Sequence, residues 1–324
     1  MSSRDYVTTS GLILRIGSDI YVNAPIFESF CASSPNYLRA DGNRLWIETP
    51  DDTLPVHALP VPTALMVLGP HSRPWSYYAM VHTDRVRIQA IAGCAFRCRF
   101  CDLPYTTTYS TKSADDLVAA ARLAISDAPM TVRHLLLSGG TPTAQDREYL
   151  LGTIDRIVPE FREPVDVMMV PMFDRDYLHR LRSAGIRDLY LNLEIYNEAT
   201  ARKMMPQKAA AGRSRYMTSL REAVSVLGPG HVESLVLVGL EPISALRAAV
   251  RTLVDLRVIP VLSPFRPSPQ TPLAALAPPS VEFLEEAWNL TSDVCKGSGL
   301  RPGPVCIPCQ HNTLTFPDSS GFYV

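Results

Sequence analysis

Cys94, Cys98 and Cys101 stand in the run Gly93-Cys94-Ala95-Phe96-Arg97-Cys98-Arg99-Phe100-Cys101. Three thiolates spaced C-x3-C-x2-C on one short loop can hold three irons of a [4Fe–4S] cluster. The fourth iron is then left without a protein ligand and can take a small molecule. Zinc, the other metal that thiolates favour, prefers four closed ligands. The run follows Val86-Arg87-Ile88-Gln89-Ala90-Ile91, whose alternation reads as a strand. The loop is therefore expected at a strand end.

A second group lies far along the chain: Cys295, then Cys306-Ile307-Pro308-Cys309, then Gln310-His311. The C-x2-C unit is a chelating pair, and a third cysteine at the end of a helix suggests a second metal site. An auxiliary Fe–S cluster, a structural zinc and unmetallated thiols are the three readings. Cys31, His311 or an external group could supply a fourth ligand. Cys31 alone also reads as a small buried hydrophobe.

Polar groups recur at the ends of other apolar runs. Ser138-Gly139-Gly140-Thr141 closes one, and its glycines allow a ligand to approach the backbone. Asn192 and Glu194 alternate with leucines in Leu191–Glu194, and a carboxylate there can accept from a vicinal diol. Arg213 and Arg215 follow Met205-Pro206-Gln207-Lys208, and either guanidinium can grip a carboxylate through two parallel hydrogen bonds. Val238-Gly239-Leu240-Glu241-Pro242 closes a further run, where Glu241 could shape the site or open a helix. Arg266, in Pro264-Phe265-Arg266-Pro267, could meet an anion.

These groups need a frame. From about residue 85, strands are expected at 85–92, 132–137, 165–171, 188–194, 232–239 and 257–263. Helices are expected at 114–126, 144–157, 174–184, 215–227 and 242–256. Ser113 with Asp116, and Thr143 with Asp146, read as capping boxes. Strands alternating with helices imply an α/β domain with a parallel sheet, either open and doubly wound or a partial barrel. Residues 1–84 read as a β-rich extension with hairpins turning at Gly17-Ser18-Asp19 and Asp41-Gly42-Asn43. Prolines at 55, 60, 62, 70 and 74 are expected to break regular structure there. Residues 85–280 form the main domain, ending in a proline-rich crossing segment. Residues 281–324 supply a helix, at about 281–296, and the cysteine tail.

Composition sets the bounds. The 324 residues carry 31 Lys and Arg against 32 Asp and Glu, so no charge excess suggests a nucleic-acid polymer as partner. No apolar run reaches the roughly 18–20 residues of a membrane span, and the N-terminus lacks a signal-peptide core. A cytoplasmic location is the expectation. Seven cysteines, six of them clustered, fit metal sites in a reducing compartment better than a disulfide framework.

The cysteine run, with Phe100 just before its last thiol, resembles the signature of the radical S-adenosylmethionine (SAM) superfamily. The resemblance favours a partial (β/α)6 TIM-type barrel. It implies a [4Fe–4S] cluster whose open iron chelates SAM, reductive cleavage to a 5′-deoxyadenosyl radical, and an electron donor such as flavodoxin or ferredoxin. Ser138, Gly139, Gly140 and Thr141 resemble the family's "GGE" element for the SAM amino group, with Thr141 replacing the acid. Asn192 and Glu194 resemble a ribose-binding element, Arg213 or Arg215 a carboxylate partner, and Val238 part of an adenine-packing element that lacks its leading glycine. Phe100 would pack beside the cluster or adenine.

Val232 to Leu273 resembles the biotin synthase and lipoyl synthase branch, although the tail cysteines are placed differently. The expected reaction is hydrogen abstraction from a small molecule, followed by sulfur insertion from the auxiliary cluster, in cofactor or thionucleoside-like natural-product biosynthesis. Two alternatives stand beside it. One is a radical dehydrogenase, epimerase or carbon-skeleton enzyme whose second cluster passes electrons. The other is a zinc-bound tail that docks a partner.

Overall fold

The computed structural model describes residues 11–25, 28–303, 306 and 313–315. The chain opens with a five-stranded antiparallel sheet: β1 (Gly11–Ile16), β2 (Ile20–Pro25), β3 (Tyr37–Asp41), β4 (Arg44–Glu48) and β5 (Thr53–Ala58), ordered β2-β1-β5-β4-β3. Both expected hairpins form. β5 was not expected, because it contains Pro55. The register explains the exception. Pro55 faces Trp46 of β4, while pairing with β1 begins one residue later, at Val56. Pro55 thus meets a neighbour on one side only, where a missing N–H can be tolerated.

The main sheet has seven strands. Their sequence order is β6 (Ala79–His82), β7 (Arg85–Gln89), β10 (His134–Ser138), β11 (Val165–Met169), β12 (Leu189–Leu191), β13 (Val232–Val238) and β14 (Ile259–Pro264). They lie side by side in that same order, parallel throughout except for β6, which pairs antiparallel with β7. The sheet curls into a half-barrel, as the partial-barrel expectation required. The antiparallel edge strand is an addition to the six expected strands.

Helices cover the outside: α2 (Ala114–Ser126), α3 (Arg147–Ile157), α4 (Asp176–Ala184), α7 (Arg213–Leu227), α8 (Ile243–Asp255) and α9 (Val281–Lys296). Short helices α1 (Leu103–Thr106), α5 (Glu198–Met204) and α6 (Pro206–Ala209) stand beside the site. Alternate strand residues, such as Leu135, Leu137, Val167, Leu189, Leu191 and Val236, enter one continuous apolar core with these helices. The other set of positions is mixed, with Leu136 and Met168 beside His134, Asp166 and Glu233. Near the strand starts, Asp166 takes His134 at 2.7 Å and Arg187 at 2.6 Å, a buried group that ties β10, β11 and the approach to β12 together.

Two capping expectations fail. Ser113 is the N-cap of α2 but makes no side-chain cap bond. Thr143 gives its hydroxyl hydrogen to Asp146 at 2.6 Å, as does Tyr109, so this pair braces a loop and α3 starts later, at Arg147.

The expected strand 85–92 is also broken. After Gln89 the chain leaves the sheet, and β8 (Ile91–Ala92) pairs antiparallel with β9 (Ser110–Thr111). This two-strand clasp closes the base of the cysteine loop.

Candidate active site

The cysteine loop springs from Gly93, which has φ 60°. A Cβ there would lie 2.6 Å from the Thr107 carbonyl oxygen, so the returning chain demands glycine. Cys94, Cys98 and Cys101 are free and partly buried. Cys94 Sγ accepts N–H bonds from Phe96 at 3.3 Å and from Thr141 at 3.2 Å. In return, the Ala95 N–H donates to the Thr141 carbonyl at 3.0 Å. The Gly139-Gly140-Thr141 loop and the cysteine loop are therefore clamped together. Gly140 permits it: a Cβ there would fall 1.7 Å from the Gly93 oxygen.

The donor set fits an iron–sulfur cluster. Two backbone N–H groups already point at one sulfur, as they do where a protein stabilises cluster thiolates. Burial raises the Cys101 thiol to about 12 and pushes Cys98 up as well. Thiolates in such surroundings are stable beside compensating positive charge, which bound iron would supply. Among the described residues, no group of three or more His, Cys, Asp or Glu converges on one metal ion. Cluster thiolates each bind a different iron, so they need no such convergence.

Opposite the loop, β12 ends at Leu191 and the chain continues irregularly. Glu194 adopts φ 65°, unusual outside glycine. It stays registered on β13, its N–H donating to the Leu235 oxygen at 2.7 Å and its own oxygen accepting from the Leu237 N–H at 2.9 Å. The Glu194 carboxylate receives Lys208 Nζ at 3.0 Å, a pair whose side chains are 19% and 7% exposed. Burial opposes the charge on Lys208, but Glu194 outweighs it and holds the ammonium above its ordinary value.

Cys98 and Phe100 pack onto Ile195, Ala201 and Met205, so Phe100 lies against the wall beneath the loop. A cavity of about 410 Å³ runs from Phe96 and Thr141 past Met172 to Lys208, Arg215 and Tyr216. No Asp or Glu lines it.

Several expected ligand residues have other duties. The Ser138 hydroxyl accepts from Arg87 Nε at 2.7 Å. The Asn192 amide oxygen accepts the Leu235 N–H at 3.2 Å, bracing β13. Val238 is 1% exposed and packs into the helix-covered core, with its carbonyl taken by the Phe265 N–H at 2.8 Å. Arg213 turns to the Tyr196 carbonyl at 3.2 Å and to Glu198 at 3.4 Å, while Arg215 lies over Phe173 and lines the large cavity. Glu241 shapes the loop, accepting the N–H groups of Tyr196 and Asn197 at 2.7 and 2.8 Å. Arg266 is half-buried after β14, and desolvation there pushes its guanidinium down to about 10.

The tail differs from expectation. Cys295 has no exposed surface and belongs to the apolar core, where burial raises its thiol to about 11. Its environment is that of a packed hydrophobe. Cys306 is disulfide-bonded. Cys309 and His311 lie outside the described residues. Cys31 is half-buried. The tail does run along the barrel edge: the Gly303 N–H donates to the Pro260 carbonyl at 2.9 Å, and the Leu314 N–H to Leu262 at 2.7 Å.

Sequence reasoning gave no role to Lys208 or Arg87. Lys208 lies fourteen residues from its carboxylate partner, so no local pattern announces the pair. Arg87 had a faint signal, a charge alternating with Val86 and Ile88 on a buried strand.

Fold and site together define an α/β half-barrel with a thiol loop and a largely apolar cavity at the carboxyl ends of its strands. The radical SAM superfamily model matches residues 88–250, from β7 through most of α8, and the chain belongs to that superfamily. Membership implies a [4Fe–4S] cluster and SAM. The chain is 23% identical over 172 residues to bacteriochlorophyllide c C-7(1)-hydroxylase of Chlorobaculum limnaeum, covering 49% of this chain and 43% of that protein. It is 26% identical over 132 residues to GTP 3′,8-cyclase of Campylobacter curvus, covering 39% of each. It thus spans less than half the length of these curated relatives.

A radical SAM methyltransferase structure from Sphaerobacter thermophilus superposes with TM-score 0.55 at 17% identity, covering 85% of this chain and 79% of that one. The hydrogenase maturase HydG from Carboxydothermus hydrogenoformans gives 0.54 at 14% identity, covering 70% and 55%. These likenesses are of fold. Among the described residues, no helix is long and apolar enough to cross a membrane.

Proposed function

We propose that this radical SAM enzyme abstracts hydrogen from a small-molecule substrate at the carboxyl ends of the barrel strands. Cys94, Cys98 and Cys101 would hold the cluster. Bound there, reduced cluster and SAM together supply a 5′-deoxyadenosyl radical for hydrogen abstraction. The clamp between Thr141 and Cys94 carries this reading, since it sets the glycine loop directly against the thiol loop. The backbone carbonyls of the Gly139-Gly140 loop would meet the SAM amino group. Glu194 would accept from the ribose hydroxyls, and Arg215, lining the cavity, would take the carboxylate. Phe96, Met172 and Tyr216 would narrow the chamber and keep water from the reacting atoms.

Anaerobic reconstitution tests the assignment. Wild type should bind about four irons on the loop and release 5′-deoxyadenosine from SAM under reductant. A Cys98→Ala variant that still does both would sink it.

A finer reading is sulfur insertion, as in the biotin synthase and lipoyl synthase branch, from an auxiliary cluster in the tail. The observation favouring it is the docking on β14 of Gly303 and Leu314, which flank Cys306 in the sequence. Cys306 and Cys309, with Cys295 as the third candidate, would be its ligands once the disulfide at Cys306 is reduced to free that thiol. A sulfur-containing product formed as auxiliary sulfide is consumed supports it. An oxidised, sulfur-free product with sulfide intact would favour the electron-transfer alternative, and one zinc in place of iron would favour a docking tail.

A further inference from the structure

Lys208 joins two parts of the site. Its ammonium is 3.0 Å from Glu194 Oε2 and 5.5 Å from the centre of the Tyr216 ring. The Tyr216 hydroxyl in turn donates to the Asn192 carbonyl at 2.6 Å, so the ammonium sits in a frame fixed from β12 and α7. The segment that carries Lys208 also grips the cysteine loop. The Arg99 N–H donates to the Met204 carbonyl at 2.8 Å, and the Arg97 N–H reaches Gln207 Oε1 at 3.4 Å. Cys98, between these two anchors, packs on Met205, three residues before Lys208.

Two physical consequences follow. A buried carboxylate deprived of its ammonium would lose both its orientation and its compensation. A fixed cation beside a cluster favours whichever redox state carries more negative charge, which is the reduced one.

We propose that Lys208 is a positioning residue with two effects. It fixes the Glu194 carboxylate, and it makes a cluster held by Cys98 easier to reduce. The proposal rests on the cysteine-loop and Glu194 assignments made above.

The test uses the anaerobically reconstituted full chain as wild type, Lys208→Arg, Lys208→Gln, Glu194→Gln and the Glu194→Gln/Lys208→Gln double variant. Iron and sulfide are counted first. The midpoint potential is then read by EPR-monitored titration, and SAM affinity by equilibrium dialysis. Lys208→Gln should keep its iron, shift the potential more negative and weaken SAM binding about tenfold, the order of one charge-assisted hydrogen bond. Glu194→Gln should shift the potential the other way, and the double variant should return near wild type. Lys208→Arg should keep the wild-type potential. Opposed shifts that cancel are not expected of a merely structural pair.

Wild-type potential and SAM affinity in an iron-replete Lys208→Gln variant would overturn the proposal. So would loss of iron from both Lys208→Gln and the double variant while Lys208→Arg stays intact, since Lys208 would then serve assembly of the loop. A wild type that holds no four-iron cluster fails at the first measurement, and the failure then lies with the cysteine-loop assignment.

Discussion

A Cβ on Gly140 would stand 1.7 Å from the carbonyl oxygen of Gly93, so two loops meet here at a distance that no side chain allows. The contact seats the thiol loop on the end of β10. Gly140→Ala should therefore cost about 3 kcal/mol, the upper range for forced overpacking, and strip most of the iron from the reconstituted protein. Gly152→Ala is the control. It lies in α3 with nothing within 4 Å of the added carbon, and it should raise stability by about 0.5–1 kcal/mol through helix propensity. Thermal unfolding with iron counting checks both, and an iron-replete, stable Gly140→Ala protein would mean the loops can part freely.

Ser138 illustrates a residue whose neighbourhood was readable while its task was not. Its hydroxyl is the acceptor for Arg87 Nε. Ser138→Ala should lower stability by about 1–2 kcal/mol by leaving that donor without its acceptor. SAM affinity should stay at the wild-type value. A selective loss of SAM binding at unchanged stability would return Ser138 to the ligand.

What was legible followed from local rules. Strand and helix periodicity placed the barrel elements, and thiol spacing marked the loop. Glycines at strand ends marked close approach. What stayed hidden depended on partners distant in the chain. Glu194 and Asn192 looked equivalent, yet one meets Lys208 and the other braces β13. Arg213 and Arg215, two residues apart, diverge because the first turn of α7 sends one to Glu198 and the other to the cavity. Pro55 looked like a breaker, but a strand paired fully on only one side at that position can hold it. For Cys295, spacing suggested a ligand, while its burial in the apolar core depends on tertiary packing that the spacing does not report.

Lys112 carries a pH signature. It is 4% exposed, its ammonium lies 3.8 Å from the centre of the Tyr77 ring, and it donates to the Tyr77 carbonyl. Burial, with Arg87 adding to it, brings the amine down to about 7. Between about 7 and the ordinary value of 10.5 the unfolded chain holds a proton here that the folded chain has released. The Lys112 contribution to stability therefore rises with pH across that window. Lys112→Met removes it, so the stability of the variant relative to wild type should fall from pH 7 to pH 10. Denaturant unfolding of both proteins at matched pH checks this, and a gap that stays constant would show the amine to be charged in the fold throughout.

The tail offers the sharpest division between packing and chemistry. Cys295 is sealed among apolar side chains at the end of α9, whereas the chain beyond it pairs with the edge of β14 on both sides of Cys306. Cys295→Ala should cost about 1 kcal/mol, the order of a small core truncation, with the iron content unchanged. Once its disulfide is reduced, Cys306 can serve a separate Fe–S centre, and Cys306→Ala should then remove about four irons while the signal of the thiol-loop cluster persists. Iron and sulfide counts with EPR on the two variants settle which thiols serve metal. Equal iron loss from both would place Cys295 in the ligand set and require α9 to open at its end. No loss from either would leave the radical generated at the cysteine loop without a second centre to supply sulfur or electrons.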